Sequence, residues 1–200
     1  MDVKGCRFGD AGPSDARQIR SRNALTGALL ALLLEKPFDQ LTVREITNRA
    51  GTGYATFFRH YATKEALLGD VASEEIAELL GLTVPLLHAA SSGESARVLC
   101  AHVGEHRKLW SALLTGGAAG IVREEFIRQA RDLTSSMIVS ADWLPADLAV
   151  VHGTGATIDL LAWWLAEGEE HTPGEIAQIL HRLVIAPLLA EGAQVSAHAG

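Results

Sequence analysis

The chain has 200 residues, 48% of them hydrophobic and 20% charged, with a formal net charge of −7 at neutral pH. That composition excludes a disordered chain and supplies apolar surface for one sizeable core, or for two small domains that share one. Two cysteines, Cys6 and Cys100, are too few and too far apart for a disulfide scaffold, which fits a reducing compartment.

Helical periodicity dominates and no segment sustains apolar/polar alternation, so an all-α class is predicted. Residues 1–13, Gly-rich and polar, read as a flexible arm. Ser14 or Asp15 then caps a helix running to Glu35, with Ile19, Leu25, Leu29 and Leu32 at helical spacing and Pro37 blocking continuation. Within it, Ala24 to Leu34 is strongly apolar but shorter than the roughly 20 residues a bilayer requires. Arginines 17, 20 and 22 come late for a leader and no small-residue cleavage site follows, so a cytoplasmic protein is expected.

Thr42 and Glu45 form a capping box for a second helix that turns Val43, Ile46 and Ala50 inward and stops at Gly51. A short helix over 53–60 follows. Thr63 caps a longer one bearing Leu67, Leu68 and Val71, expected to bend at Gly81 or end before Pro85. Further helices are predicted over 94–105, over 107–114 with Gly116 and Gly117 closing it, and over 119–139 with Val122, Phe126, Leu133 and Met137 on one stripe. Residues 147–166 are apolar on nearly all sides, thinned by Gly153, Gly155 and Ala156. Thr172 and Glu175 make a second capping box with Pro173 at the first helical position. The last helix carries Ile176, Ile179, Leu180, Leu183 and Leu188, with a kink at Pro187, and 193–200 read as a flexible tail.

Charge is unevenly placed along this order. Residues 1–64 hold ten Lys/Arg against six Asp/Glu, a balance of +4, whereas 65–200 hold seven against eighteen, a balance of −11. A basic head on an acidic body points to a nucleic-acid-facing segment. Within that head, the short helices 43–50 and 53–60 meet at a glycine turn, pinned by Ile46, Ala50 and Phe57. That is helix-turn-helix spacing, with the second helix placed to enter a major groove.

The segment Leu41–Leu68, LTVREITNRAGTGYATFFRHYATKEALL, resembles the signature of the TetR family of transcriptional regulators. The family pattern runs Thr-(apolar)-x-x-Ile-Ala-x-x-Ala-Gly-Val-Ser-x-Gly-Thr-(apolar)-Tyr-x-His-Phe-x-Ser-Lys-Glu-x-Leu, and the match has no gap. The resemblance implies that Thr42 binds a phosphate at a helix start and that Arg44 reaches a phosphate or a guanine edge. It places Thr52, Gly53, Tyr54 and Ala55 at the base edges, with Thr56, His60 and Lys64 gripping phosphates. Three positions depart from the pattern. Phe58 replaces a tyrosine whose hydroxyl binds phosphate, a loss that Arg59 beside it can offset. Gly53 replaces the N-cap serine, leaving Thr52 as the expected cap, and Thr47 stands where alanine packs between helices.

The resemblance further implies an N-terminal three-helix helix-turn-helix domain over 14–62 and a helical ligand-sensing and dimerisation domain over 63–192. In that scheme helices 147–166 and 173–190 form a homodimer interface, and two recognition helices meet a palindromic operator on double-stranded DNA. A small-molecule effector of unstated identity releases a repressor from it. Trp110, Phe126, Met137 and Trp163 are candidates to line its pocket, with His102, His106 and Asp159 as polar anchors. No cofactor and no metal are expected.

Two other readings compete. His102, Glu105 and His106 match the H-x-x-E-H pattern of inverted zinc peptidases, although the sequence offers no clear third ligand. Phe58 and Gly53 leave open a ligand-binding module whose DNA-binding head has degenerated.

Overall fold

The computed structural model describes residues 13–88, 92–134 and 144–189. The predicted arm, the tail, Cys6 and Met137 therefore lie outside the described residues. Within them every element is helical, as the periodicity predicts.

Helix α1 (Pro13–Leu33) takes Ser14 and Asp15 into its first turn instead of being capped by them. It buries Leu25, Leu29, Leu32 and Leu33, whereas Ile19 is exposed despite its helical spacing. After a 3₁₀ turn (Phe38–Gln40), α2 (Val43–Arg49) and α3 (Tyr54–His60) form the short pair. Helix α4 (Lys64–His88) is capped by Thr63, whose Oγ1 accepts from the amide of Ala66 at 3.1 Å.

Helix α4 does not end before Pro85 but runs through it. Pro85 forfeits the bond of its missing N–H and its ring crowds the carbonyl four residues earlier. The turn beside it is held from outside by Ser95 of the next helix, whose Oγ donates to the Thr83 carbonyl at 2.9 Å, and from within by Thr83 Oγ1, which donates to the Leu79 carbonyl at 2.9 Å. Tertiary packing thus overrides the breaker.

Helices α5 (Ser92–Glu105), α6 (Arg107–Leu114) and α7 (Ala119–Thr134) build the body. A 3₁₀ turn (Gly116–Ala118) joins α6 to α7, with Gly116 at φ +70°. On the predicted stripe of α7, Val122 and Phe126 are buried but Leu133 is exposed. Helix α8 (Ala146–Ala166) packs on α6 and α7, and α9 (Pro173–Leu180) packs on α5.

Past α9 the chain does not simply kink at Pro187. A π-helical turn (His181–Ile185) comes first, then α10 (Ala186–Leu189). Widening the turn ahead of the proline changes which carbonyl needs a donor, a familiar way to absorb a residue without N–H. On this last stretch Ile176 and Leu180 are buried, while Ile179 and Leu183 face outward.

One continuous cluster of buried side chains runs from Leu25 and Phe57 in the head, along Leu67, Val71 and Ile76 of α4, to Trp110, Trp164 and Val184 in the body. Phe57 is wholly buried in it and Phe58, its neighbour, is 53% exposed. Phe57→Ala should therefore lower unfolding free energy by about 3–5 kcal/mol, and Phe58→Ala by no more than about 0.5 kcal/mol. Urea midpoints of the two variants decide it.

Candidate nucleic-acid interface

The helix-turn-helix is shaped by its backbone. Thr42 Oγ1 accepts from the Glu45 amide at 3.3 Å, and the Glu45 carboxylate accepts from the Thr42 amide at 3.0 Å. Gly51 then turns the chain at φ +63°, where a Cβ would be strained. The Thr52 amide donates to the Thr47 carbonyl at 3.0 Å, closing the turn. The cap of α3 is Gly53, without a side-chain bond, and not Thr52. The reason is placement: Thr52 Oγ1 is buried in the turn and has no hydrogen-bond partner.

Ile46 and Phe57 pin α2 to α3, with Ala50 partly buried beside them. On α3 the inward residues are Phe57, with Thr56 and His60 half-buried. At about 3.6 residues per turn, the outward arc holds Tyr54, Phe58, Ala55 and Arg59 in that order. Arg44 on α2 is exposed and makes no ion pair among the described residues.

Several residues the family pattern assigns to phosphate are already engaged within the chain. Thr42 is occupied by Glu45, whose carboxyl is lowered to about 2 chiefly by the Lys36 ammonium at 2.5 Å, then by Thr42. Lys64 donates to the carbonyls of Phe38 at 3.1 Å and Leu41 at 2.9 Å, with its ammonium over the Phe38 ring. His60 Nε2 lies 2.7 Å from Ser21 Oγ, and the Thr56 hydroxyl accepts from Arg59 at 3.1 Å. These contacts fix the head internally. They leave Arg44, Gly53, Tyr54, Ala55, Phe58 and Arg59 as the exposed set.

The head is tied to α4 by a second group of polar contacts. The Arg22 guanidinium makes a bidentate pair with Asp70 at 2.6 and 2.8 Å, and the Tyr61 hydroxyl donates to the same carboxylate. Arg22 holds the Asp70 carboxyl below its ordinary range, and burial pushes the Tyr61 phenol up to about 12.

In the body, the candidate effector residues separate into two places. His106, His102, Trp110 and Phe126 form a file of rings with centroids 4.6, 6.4 and 6.4 Å apart. The file descends from exposed His106 to buried Trp110 and Phe126. His102 Nε2 and Trp110 Nε1 are buried without partners, and burial lowers the His102 pKa. Asp159 and Trp163 do not join the file. Asp159 pairs with Arg123 at 2.5 Å on the surface, and Trp163 is exposed with its ring 5.7 Å from that of His171. No third His, Cys, Asp or Glu completes a metal cage with His102 and His106 among the described residues.

Residues 25–71, which span the helix-turn-helix, match the model for bacterial regulatory proteins of the tetR family. Over that stretch, under a quarter of the chain, the sequence is similar to the TetR family. A curated relative, an uncharacterized HTH-type transcriptional regulator of Bacillus subtilis (strain 168), is 39% identical over 67 residues, 33% of this chain and 18% of that protein. The likeness thus spans under a fifth of the relative's length. Among solved structures, a TetR regulator from Streptococcus agalactiae 2603V superposes with TM-score 0.63 at 20% identity, covering 86% of this chain and 97% of its own. A Thermus thermophilus TetR-family repressor, FadR, solved with lauroyl-CoA, does so with TM-score 0.58 at 20% identity, over 90% and 100%. At such identity these two establish the shared fold.

What reasoning from the TetR pattern misses is the engagement of Thr42 and Lys64. The signal was present for Thr42, since a capping box occupies both its amide and its hydroxyl. Glu45 carries a pH prediction. Its pKa lies near 2 in the folded head against an ordinary 4.5, so its contribution is full above the ordinary value. It is lost as pH falls toward 2. The Glu45 contribution to stability, measured by urea, should be the same at pH 7 and 5 and smaller at pH 3, and Glu45→Gln should make that drop shallower.

Proposed function

We propose that the protein is a homodimeric repressor that binds a palindromic operator through α3 and releases it when a small molecule enters the body. The outward arc of α3, projecting from a rigid head and flanked by Arg44 and Arg59, is the observation that carries the DNA-binding part. Arg44 and Arg59 would grip phosphates, Gly53, Tyr54, Ala55 and Phe58 would meet base edges, and the engaged residues Thr42, Thr56, His60 and Lys64, with Thr52 buried in the turn, would hold those groups in register. Such work belongs in the cytoplasm.

Support for a dimer comes from surface that water does not favour. Helix α8 is long and apolar enough, by length and composition, to cross a bilayer, and 33% of its most apolar 18 residues are buried. Leu148 and Trp163 on α8, with Ile179, Leu183 and Leu189 beyond it, stand exposed, Leu183 at 68%. Apolar surface on this scale marks an interface, and a second copy packing α8 and α9 against their equivalents covers it with a two-fold.

The effector reading rests on the ring file. An apolar pocket with few polar groups is the usual form of a small-molecule site, and here His102 and Trp110 would supply those groups, with His106 at the mouth and Phe126 at the base. Asp159 and Trp163 fall instead to the dimer face. The Thermus thermophilus repressor holds lauroyl-CoA, which supports a ligand in this class of body. Helix α4 would carry the signal, since it is fixed to the head at Lys64 and Asp70 and borders α5 and α7 in the body. A ligand releases DNA only by its differential affinity for the two head spacings.

Selection from random duplexes, followed by a salt titration, is the test. Enrichment of a palindrome whose affinity falls steeply with salt is expected, and no enrichment with no salt slope overturns the reading. Arg44→Ala and Arg59→Ala should each weaken binding across sequences and reduce the salt slope by about 1. Leu183→Glu should convert dimers to monomers in sedimentation and abolish preference for the palindrome over a half-site.

A further inference from the structure

The outward arc of α3 is unusual for a surface that must read bases, because it carries few hydrogen-bonding groups. Guanine edges are read by Arg or Lys, adenine by Asn or Gln, and cytosine by Asp or Glu. Of these, only Arg59 stands on the arc, in the last turn of α3. The remainder is Tyr54, Phe58 and Ala55, with Tyr54 50% and Phe58 53% exposed.

These rings are held in place. Phe58 meets the buried ring of Phe57 edge-on, with centroids 5.3 Å apart and planes at 79°. Tyr54, one turn earlier, leans on Phe58 at 5.6 Å and 42°. An anchored ring thus supports an exposed one, which supports a second. Folding gains little from leaving such surface wet, so the stack is arranged for something apolar outside the chain.

In the major groove the apolar group on a base edge is the C5-methyl of thymine. Arg44 and Arg59 supply the positive flank that brings a polyanion to this arc. From the stack, its exposure and that flank, we infer that α3 reads its operator chiefly through thymine methyl groups, packed on Phe58, Ala55 and the Tyr54 ring. The inference rests on the operator-binding reading above and names the chemistry of the recognised bases. The half-site is then a run of A·T pairs with thymines on the strand face beneath α3. Phe58, which lacks the hydroxyl of the family's tyrosine, is a specificity-determining residue and not a lost phosphate ligand.

The test uses the full-length dimer and the operator it selects. Each thymine in a half-site is replaced in turn by deoxyuridine, which lacks only the methyl. At two or more positions the substitution should weaken binding about three- to fivefold, the value of one buried methyl. Phe58→Ala should bring the ratio of thymine to uracil affinity close to one at its own position while the salt slope stays unchanged. Phe58→Leu, apolar without the ring, should keep part of the ratio, and circular dichroism confirms that both variants fold. A selected half-site read at G·C pairs, or equal affinity for thymine and uracil throughout, overturns the inference and leaves the operator reading standing. Failure to enrich any sequence overturns both.

Discussion

A single ammonium holds the geometry that every outward-facing group depends on. Lys64 opens α4 and points back into the turn between α1 and α2, where the Phe38 and Leu41 carbonyls accept from it and the Phe38 ring lies beneath. Of those carbonyls, that of Phe38 also accepts from the Leu41 amide at 3.0 Å, so Lys64 is its second donor and ties the 3₁₀ turn to Leu41, the residue before the cap of α2. By answering them, Lys64 fixes where α2 begins, and so where α3 projects. The Arg22–Asp70–Tyr61 knot repeats the constraint nearly two turns further along α4. The head therefore cannot rotate without carrying the start of α4 with it.

That rigidity gives α4 its place in the proposed mechanism. Its far end is braced by Ser95 of α5 through the Thr83 carbonyl, and its middle by Gln129 of α7 through the Ser73 carbonyl at 2.9 Å. A second junction lies where Gly117 approaches Asp39 so closely that a methyl on the glycine would collide with the carboxylate. Head and body thus meet both along α4 and between the two 3₁₀ turns. In the proposed scheme, a shift of α5 and α7 around a ligand reaches α3 through contacts already made.

Large apolar side chains stay exposed at several points, Ile19, Leu34 and Leu82 among them, and two groups of them coincide with proposed partners. Tyr54 and Phe58 are exposed on α3, and Trp163 and Leu183 on the α8–α9 face. The π-helical turn at His181–Ile185 lies beside the second of these. Exposed rings and leucines beside a proposed partner are surface that folding alone does not require, which favours function over stability as their cause.

Much of this was legible in the chain itself. The capping boxes at Thr42 and Thr172, the glycine turn at Gly51 and the helical spacing of Leu25, Leu29, Leu67 and Leu68 act over a few residues, so the sequence determines them directly. The basic head and the Leu41–Leu68 pattern identified the helix-turn-helix for the same reason. Tertiary structure decided the rest. It carried α4 through Pro85, turned Ile19 and Leu133 outward, and denied Thr52 the cap. It also drew Lys64 and Thr42 into internal bonds and moved Asp159 and Trp163 away from the ring file. Each outcome depends on a partner distant in sequence, such as Ser95 for Thr83 or Leu41 for Lys64. Spacing along one helix shows which faces exist, and only packing between helices determines which of them meet water.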